Sequence, residues 1–433
     1  MSIIIITAVA ALFVFGMAIF FHELGHFLAA KREGIKVERF SIGFPPKLFA
    51  FKRGETEYRI GAIPGGGYIK MAGENPEEEL KGEPWEFRSA SIKTRMKIVL
   101  AGPLLNFVLG FVLFSLIAIL GIPTYSNIVG KVVKDSPAQK AGILEGDKII
   151  KVNNTLTNNW HELSKVILES SGMIELTISR NDKIIKEKVK ITKDIELGIS
   201  PYVSTQIKNV IIGSPAYKSG LKEGDIITSI NNQKVSQWEE MTQIIRKSPG
   251  KKLALSVQRG EKQMEIKIIP AAKPDYDPEK KKEIKVGSIG ITSCHQQYRV
   301  NPLVALWQGL LQTLATIQLI FVIMGQLIIG GLSPKLLAGP IGIVQMSGEQ
   351  AQLGFTALLS FLGMLSVNLG VINLLPLPVL DGGHVIFLTI EKIRGKAMST
   401  KTQEVIQTIG ITIIIALIIF VSQNDIRRWI GLQ

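Results

Sequence analysis

The sequence predicts an α-helical membrane protein that crosses the bilayer four times, with an α+β region between its second and third crossings. Long stretches of the 433-residue chain lack charged residues, and the mean hydropathy is positive. Lys and Arg residues flank these stretches, as they do where cytoplasmic loops meet a membrane. The polar stretch after the second apolar segment contains an internal repeat with strand and turn signals, which is typical of tandem modules.

Charge and cysteine content narrow the function classes. The net charge of +14 is spread along the chain, which fits anionic lipid headgroups and gives no indication of nucleic-acid binding. We therefore expect membrane lipids as partners and no nucleic acid. The single Cys294 excludes an internal disulfide and a zinc site made of cysteines, and we interpret its neighbour His295 as incidental.

The first apolar segment, residues 1–34, contains the pentapeptide H-E-L-G-H at positions 22–26. Residues four apart share one face of a helix, so His22 and His26 can bind the same zinc ion. Glu23 is then placed to act as the general base of a metal-dependent hydrolase. Chance matches to this motif occur, but a buried acid in an apolar helix is costly unless it has a function.

Basic residues set the predicted orientation. No Lys or Arg precedes the first segment, whereas Lys31 and Arg32 follow it, so we expect its N-terminus outside and the segment retained, not cleaved as a signal peptide. The second crossing, residues 97–122, begins after cytoplasmic cations and therefore ends outside. Gly102 and Asn106, near its start, suit tight packing between helices.

Residues 35–96 are predicted to form a β-hairpin and a cytoplasmic loop. Residues 37–42 alternate between apolar and polar, and the sequence P-G-G-G at 64–67 leads into Tyr68 as a turn leads into a strand. One interpretation is a small cytoplasmic sheet. The other is a strand edge near the metal, which would hold an unwound substrate segment by β-addition.

Residues 123–200 and 201–292 are predicted to be two copies of one module. Ser-Pro-Ala at 136–138, Glu-Gly-Asp at 145–147 and Trp160 all recur 78 residues later. Both copies resemble the PDZ domain, which captures extended peptides on a strand edge. The motifs at Ile199 and Ile291 resemble its carboxylate-binding loop, suggesting a permuted strand order and marking these isoleucines as candidate peptide-binding residues. The alternative is that both modules are spacers. The charged stretch from Asp275 to Lys285 is expected to be a solvated loop.

The predicted sidedness of two loops determines how many times the rest of the chain crosses the membrane. The second crossing ends outside, and basic residues place the loop at 391–403 in the cytoplasm, so one crossing should connect them. We assign that crossing to residues 354–390. The region 293–353 is then amphipathic and membrane-associated, with residues 303–330 lying along the outer interface or re-entering. Residues 404–433 form the fourth crossing and the C-terminus.

The third crossing contains N-L-L-P-L-P-V-L-D-G-G at positions 373–383, in which Pro376 and Pro378 should break the helix. Asp381 is the only acid between positions 349 and 391, and a lone carboxylate at membrane depth needs a cation. At the predicted depth of the two histidines it completes a two-His, one-carboxylate site with an open position. His384 is a rival ligand, interpreted as a supporting residue, and Asn373 could bind substrate backbone or an oxyanion.

These motifs together resemble the site-2 protease family of M50-type intramembrane zinc metalloproteases, especially its bacterial members with tandem PDZ domains. The resemblance implies a zinc endopeptidase of the bacterial inner membrane, with a membrane-reentrant β-hairpin and periplasmic PDZ domains. It implies that zinc is held by His22, His26 and Asp381, that Glu23 is the catalytic base, and that Tyr68, Asn373, Pro376 and Pro378 handle substrate. The proline-containing turn at 42–46 departs from the G-F-G found in many relatives.

The implied physiology is regulated intramembrane proteolysis in a stress response. The substrate would be a single-pass anti-sigma factor already trimmed by a first protease, or a remnant signal peptide, and the PDZ pair would act as a size filter. We expect a monomer. Two alternatives stay open on the residues alone: a transporter, because broken helices and intramembrane carboxylates suit ion pathways, and a PDZ scaffold with a vestigial site.

Overall fold

The computed structural model describes residues 3–75, 78–191, 197–277, 282–334 and 337–430. The chain divides into two compact units, Met1–Ile119 with Asn301–Gln433 and Leu120–Val300. Its α-helices are α1 (Ile3–Arg32), α2 (Ile92–Leu120), α3 (Pro137–Lys140), α4 (Trp160–Glu169), α5 (Pro215–Lys218), α6 (Trp238–Arg246), α7 (Pro302–Ile328), α8 (Pro340–Leu353), α9 (Phe355–Asn373), α10 (Asp381–Arg394) and α11 (Thr400–Ile430).

The first unit is a bundle of apolar helices. Within the described residues, five helices are long and apolar enough to cross a membrane: α1, α2, α7, α9 and α11. Glycines let α2 and α9 approach closely, because a Cβ at Gly110 would lie 2.4 Å from Val367 and one at Gly363 would lie 2.9 Å from Phe114. Buried apolar side chains of α1, α2 and α9 form its core, including Val14, Ala18, Leu109, Leu113 and Leu362. The four-crossing count stays a prediction.

Two helix boundaries differ from the sequence prediction, and one helix was not predicted. Helix α2 begins at Ile92 instead of residue 97, because the hydroxyl of Ser91 accepts a hydrogen bond from the Thr94 N–H (3.1 Å) and caps an extra cationic turn. Helix α11 begins at Thr400 instead of residue 404, with Ser399 in the equivalent position. Helix α8 was not predicted as a separate element; it packs against α1, with Gly348 facing Thr7.

Strands β1 (Val37–Arg53) and β2 (Thr56–Met71) form a hairpin that folds back on itself. The first half of β1 pairs with the end of β2, from Val37 with Met71 to Ile42 with Gly67, and also with the beginning of β2, as Phe40 does with Tyr58. The second half of β1 pairs with the beginning of β2, where Phe51 stacks on Tyr58. Residues 67–71 therefore form one edge of the sheet and the second half of β1 the other.

The second unit contains the repeated module. Its first copy has β4 (Val129–Val132), β5 (Lys148–Val152), β6 (Thr155–Leu156), β7 (Gly172–Arg180), β8 (Lys183–Ile191) and β9 (Ile199–Pro201), after β3 (Ile122–Thr124). Its second copy has β10 (Ile207–Val210), β11 (Ile226–Ile230), β12 (Gln233–Lys234), β13 (Leu253–Arg259), β14 (Lys262–Ile268), β15 (Ala271–Asp277), β16 (Lys282–Ser288) and β17 (Ile291–Ser293), followed by β18 (Gln296–Tyr298).

The two copies share topology and local devices. Their sheets have the orders β6-β5-β7-β8 and β12-β11-β13-β14, and in each the last strand pairs with the first, β9 with β4 and β17 with β10. Ser136 and Ser214 each cap a short helix that begins with proline. Gly198 and Gly290, which precede the last strands, both have φ of +79°, a conformation that glycine adopts without strain.

The charged stretch from Asp275 to Lys285 contradicts its assignment as a solvated loop. Its described residues belong to the hairpin of β15 and β16, whose tip at 278–281 lies outside the described residues. The hairpin packs against α6, since a Cβ at Gly287 would lie 2.1 Å from the Ile245 carbonyl oxygen, and Asp275 pairs with Arg246. The described part of this stretch is therefore paired β-structure and not a loop.

Candidate metal centre

The two histidines of α1 lie side by side and are buried. His22 and His26 are 9% and 8% exposed, and their ring centroids are 4.8 Å apart. Gly25, between them, lets α2 come close, because a Cβ there would lie 2.3 Å from the Ala101 carbonyl oxygen. The H-E-L-G-H sequence thus places two imidazoles one helical turn apart and removes a side chain where another backbone passes.

Asp381 reaches these histidines from α10. Its Oδ2 lies 3.3 Å from Nε2 of His22 and 3.4 Å from Nε2 of His26, and the two Nε2 atoms are 3.2 Å apart. A tetrahedral zinc ion with bonds of about 2.0–2.1 Å holds its ligand atoms about 3.3–3.4 Å apart. The three atoms therefore fit one triangular face of a zinc coordination sphere. The Oδ2 atom is buried without a hydrogen-bond partner, as expected of an atom whose partner is a metal.

The break before α10 delivers Asp381. Helix α9 ends at Asn373 and α10 begins at Asp381, with a turn at 374–380 that holds Pro376 and Pro378. A Cβ at Gly382 would lie 2.2 Å from the Leu375 carbonyl oxygen, so the turn folds directly onto the first residues of α10. This close approach explains why glycine follows the aspartate.

An ion pair holds α10 against α2. Arg95 donates to both carboxylate oxygens of Glu391, at 2.5 and 3.1 Å, and both side chains are largely buried. Such a two-pronged contact fixes orientation as well as distance. It ties the far end of the helix that begins with Asp381 to the helix that packs on His26.

Helix α2, in which the sequence marked Gly102 and Asn106 only for packing, supports both histidines. Nδ1 of His26 lies 2.9 Å from the Ile98 carbonyl oxygen, and the side-chain amide of Asn106 lies 3.2 Å from Nδ1 of His22. Gly102 leaves room for the His26 ring, since a Cβ there would lie 2.2 Å from Nε2. A lone asparagine in an apolar helix was the available signal, but only the structure shows which ring it faces.

A cavity of about 720 Å³ opens over the three ligand atoms. Glu23, Tyr68 and Asn373 line it, and the Nδ2 atom of Asn373 lies 3.2 Å from Nε2 of His22. Glu74, which sequence reasoning did not single out, also lines it and accepts a hydrogen bond from the Met71 N–H (3.0 Å). Burial raises the pKa of Glu74 above its ordinary value.

The remaining candidate residues lie elsewhere or in supporting positions. His384 lines the cavity, but among the described residues only His22, His26 and Asp381 form a cluster with metal-ligand spacing. Pro376 and Pro378 do not line the cavity, and Pro378 instead packs against Gly410 of α11. Ile199 and Ile291 begin the last strands of the two repeated modules.

The donor set defines the chemistry that is possible here. Two imidazoles and one carboxylate are a common ligand set of hydrolytic zinc sites, which keep a fourth position open. Glu23 follows the first ligand on the same helix and is 9% exposed, at the wall of the same cavity. The arrangement places three potential metal ligands beside a carboxylate and a side-chain amide, a combination that suits hydrolysis of an amide bond.

Comparison with known proteins agrees with this chemistry. The family described as Peptidase family M50 matches residues 10–417. A putative zinc metalloprotease of Neisseria meningitidis is 33% identical over 98% of this chain and 100% of its own length. The regulator of sigma-E protease RseP of Escherichia coli is 34% identical over 95% of this chain and 96% of its own. A solved PDZ domain of an SdrC-like protein from Listeria monocytogenes is 23% identical, with a TM-score of 0.18, over 22% of this chain and 90% of that one.

Proposed function

Because this chain belongs to peptidase family M50 and is a zinc metalloprotease, we propose that it cleaves peptide bonds within transmembrane segments of single-pass membrane proteins. The substrate class follows from where the site lies. His22, His26 and Glu23 belong to a helix whose preceding residues are continuously apolar, and the cavity opens inside the helical unit. A transmembrane segment of a substrate already lies at the depth at which an apolar helix of this length places these residues.

The triangle of 3.2, 3.3 and 3.4 Å formed by His22, His26 and Asp381 carries the proposal. It supports these three as the zinc ligands. When bound, zinc supplies a Lewis acid that polarises the scissile carbonyl and makes water more acidic. The Glu23 carboxylate accepts the proton of the attacking water and returns it to the leaving amine. The Asn373 amide, beside His22, donates toward the oxygen that gains charge.

The edge of β2 supports a way to present the scissile bond. A helical substrate buries its carbonyls in its own hydrogen bonds, so it must be extended before attack. Residues 67–71 form the sheet edge that lines the cavity, and a Cβ at Gly67 would lie 2.9 Å from Cγ of Glu23. A substrate strand added to this edge would run past Glu23, which gives Tyr68 and its neighbours a substrate-binding role.

Contacts of α8 support four crossings and an outer location for the repeated modules. Its Gly348 packs on Thr7, near the end of α1 that the basic residues place outside, and its first residues bind Asp425 near the end of α11. The start of α7 packs on the outer end of α2, where Gly309 meets Ser115. With the predicted sidedness of α1 and α2, these contacts support an outer position for the chain before α7 and again at α8. A return by extended backbone through lipid is excluded, which favours α7 lying at the interface.

The repeated modules support a filtering role as tandem periplasmic PDZ domains. Each has a last strand, β9 or β17, preceded by a glycine in the left-handed region, the arrangement from which a peptide could be captured. Ile199 and Ile291 are the proposed peptide-binding residues. We propose that the modules exclude substrates with large periplasmic parts, so that an anti-sigma factor or signal-peptide remnant is cleaved only after a first protease has trimmed it.

A cleavage assay in liposomes tests the proposal. The full-length protein is reconstituted with single-pass segments, with and without a zinc chelator, and zinc is measured in the same samples. Glu23→Gln should keep zinc and lose cleavage, whereas Glu404→Gln, which changes an exposed carboxylate of α11 that does not line the cavity, should keep both. Normal cleavage by Glu23→Gln contradicts the assigned base. Metal-dependent ion flux without cleavage would favour a transporter, and zinc near zero a scaffold.

A further inference from the structure

Asn106 is the one polar side chain of α2 that faces the zinc ligands directly, and it is fully buried (0% exposed). Its Nδ2 lies 3.2 Å from Nδ1 of His22, while its Oδ1 is buried without a hydrogen-bond partner. A buried amide oxygen without a partner is uncommon in folded proteins. This pairing therefore calls for a physical account.

The position of the His22 ring decides the orientation of the Asn106 amide, because a ring whose Nε2 lies in the ligand triangle carries its proton on Nδ1. The two ends of an asparagine amide have nearly the same shape, and their assignment follows from the hydrogen bonds they can make. With the ends exchanged, Oδ1 takes the position 3.2 Å from Nδ1 of His22 and can accept its N–H. The amide oxygen then has the Nδ1–H of His22 as its partner, and Nδ2 takes the buried position that Oδ1 leaves.

The amide of Asn373 faces the same His22 ring. Its Nδ2 lies 3.4 Å from Nδ1 and 3.2 Å from Nε2 of the same His22 ring. Two amide NH₂ groups cannot both donate to the single lone pair of one ring nitrogen. An oxygen of Asn106 at Nδ1 removes the conflict and leaves Asn373 free to donate elsewhere in the cavity.

His26 shows the same pattern with a backbone partner. Its Nδ1 lies 2.9 Å from the Ile98 carbonyl oxygen, an atom that can only accept. Ile98 and Asn106 stand eight residues apart on the same helix, so α2 would present one acceptor to each ligand histidine. The backbone of Asn106 is itself held, because its carbonyl accepts a hydrogen bond from the Ser366 hydroxyl of α9 (2.9 Å).

We propose that Asn106 is a positioning residue whose amide oxygen accepts the Nδ1–H of His22 and so fixes the tautomer whose Nε2 faces the metal. The inference rests on the proposed zinc site and adds to it a residue outside the ligand set. A partner of this kind orients the ring and prevents the ligand nitrogen from carrying the proton. The amide acts through His22 and does not touch the substrate.

Zinc affinity of the full-length protein, measured by competition with a chelator in detergent, tests this inference. Asn106→Leu removes the acceptor with little change of volume and should weaken zinc binding roughly 10- to 100-fold. Asn106→Asp keeps an acceptor and loses the donor. Its zinc affinity should therefore be no more than about 3-fold below that of the wild type. Ser366→Ala is the matched control, because it loses a hydrogen bond to the same residue's backbone while leaving the amide in place.

The unfolding temperature of the zinc-free proteins separates positioning from folding. Positioning predicts similar zinc-free stabilities for Asn106→Leu and the Ser366→Ala control, with only Asn106→Leu losing zinc affinity. Asn106→Ala replaces Asn106→Leu should the latter not fold. Wild-type zinc affinity in Asn106→Leu overturns the inference. A loss of affinity in Asn106→Asp as large as that in Asn106→Leu also overturns it, because the amide would then act as a donor. Absence of zinc from the wild type would instead overturn the proposed function.

Discussion

We predict that a methyl group added at Gly102 weakens zinc binding and leaves the folded state intact. A Cβ at this residue would lie 2.2 Å from Nε2 and 2.5 Å from Cε1 of His26. Favourable contacts between such atoms need about 3.5 Å, so Gly102→Ala must displace the imidazole by roughly 1 Å. Zinc–ligand distances vary by only about 0.2 Å. We therefore expect zinc affinity to fall at least about 100-fold, at the upper end of the loss for a missing supporting hydrogen bond.

The fold should survive this substitution, because the obstructed atoms belong to a side chain that can rotate. Gly25→Ala gives the contrast, since its Cβ would meet the backbone of Ala101 at 2.3 Å and would force α1 and α2 apart. We expect that variant to lose its folded state. Gly16→Ala, also in α1, meets nothing within 4 Å and should leave zinc binding unchanged while gaining roughly 0.5–1 kcal/mol of helix stability.

The three glycine variants are compared as full-length proteins in detergent. Zinc content is measured after equilibration with a chelator of known affinity, and thermal unfolding is measured in the zinc-free state. Gly102→Ala should match the wild type in zinc-free unfolding and fail in zinc retention and cleavage. The reasoning is refuted by wild-type zinc affinity in Gly102→Ala, or by a loss of zinc that merely parallels a loss of zinc-free stability.

Three further predictions concern supporting structure. Arg259→Met leaves the fully buried Asp225 carboxylate without its cation and should cost the second module roughly 3–5 kcal/mol, measured by thermal unfolding. Burial alone would raise the pKa of Asp225, but hydrogen bonds from Arg259 and the backbone hold this pKa below its ordinary value. The ion pair therefore stabilises the wild type fully above about pH 4, and this stabilisation declines as the pH falls. An acid titration of unfolding would show the decline. Asp425→Asn weakens the carboxylate that accepts two backbone N–H groups at the start of α8 and should cost roughly 1–2 kcal/mol, so an unchanged melting temperature would contradict it. Glu86→Gln weakens a carboxylate that accepts the backbone N–H groups of residues 81–83, so limited proteolysis should cut that loop faster than in the wild type.

The convergence of His22, His26 and Asp381 could be predicted because the local chemistry of these residues is unusual. Two histidines one helical turn apart need no tertiary information to share a ligand, and Asp381 is the only acid in a long apolar stretch. The two prolines before Asp381 predict a helix break, and the structure has this break between α9 and α10. The structure brings the ligand atoms of all three within 4.8 Å of one another.

The supporting residues could not be assigned in the same way. Helix α2 is apolar along most of its length, so its sequence does not indicate which face meets α1 and which meets lipid. Asn106 faces His22, and Gly102 faces His26. Both facts depend on the rotation and register of α2 against α1. These are set by many small packing contacts rather than by a motif.

The order of strands in the hairpin could not be predicted from the sequence either. An alternating pattern identifies strands but fits many pairings, since side chains repeat every two residues. What selects the observed pairing is close backbone approach at two glycines: a Cβ at Gly61 would lie 2.3 Å from the Phe44 carbonyl oxygen and 2.6 Å from the Gly43 carbonyl. Only then can the beginning of β2 lie between the two halves of β1. Since that arrangement covers the first half of β1 on both sides, residues 67–71 are the edge that lies beside Glu23.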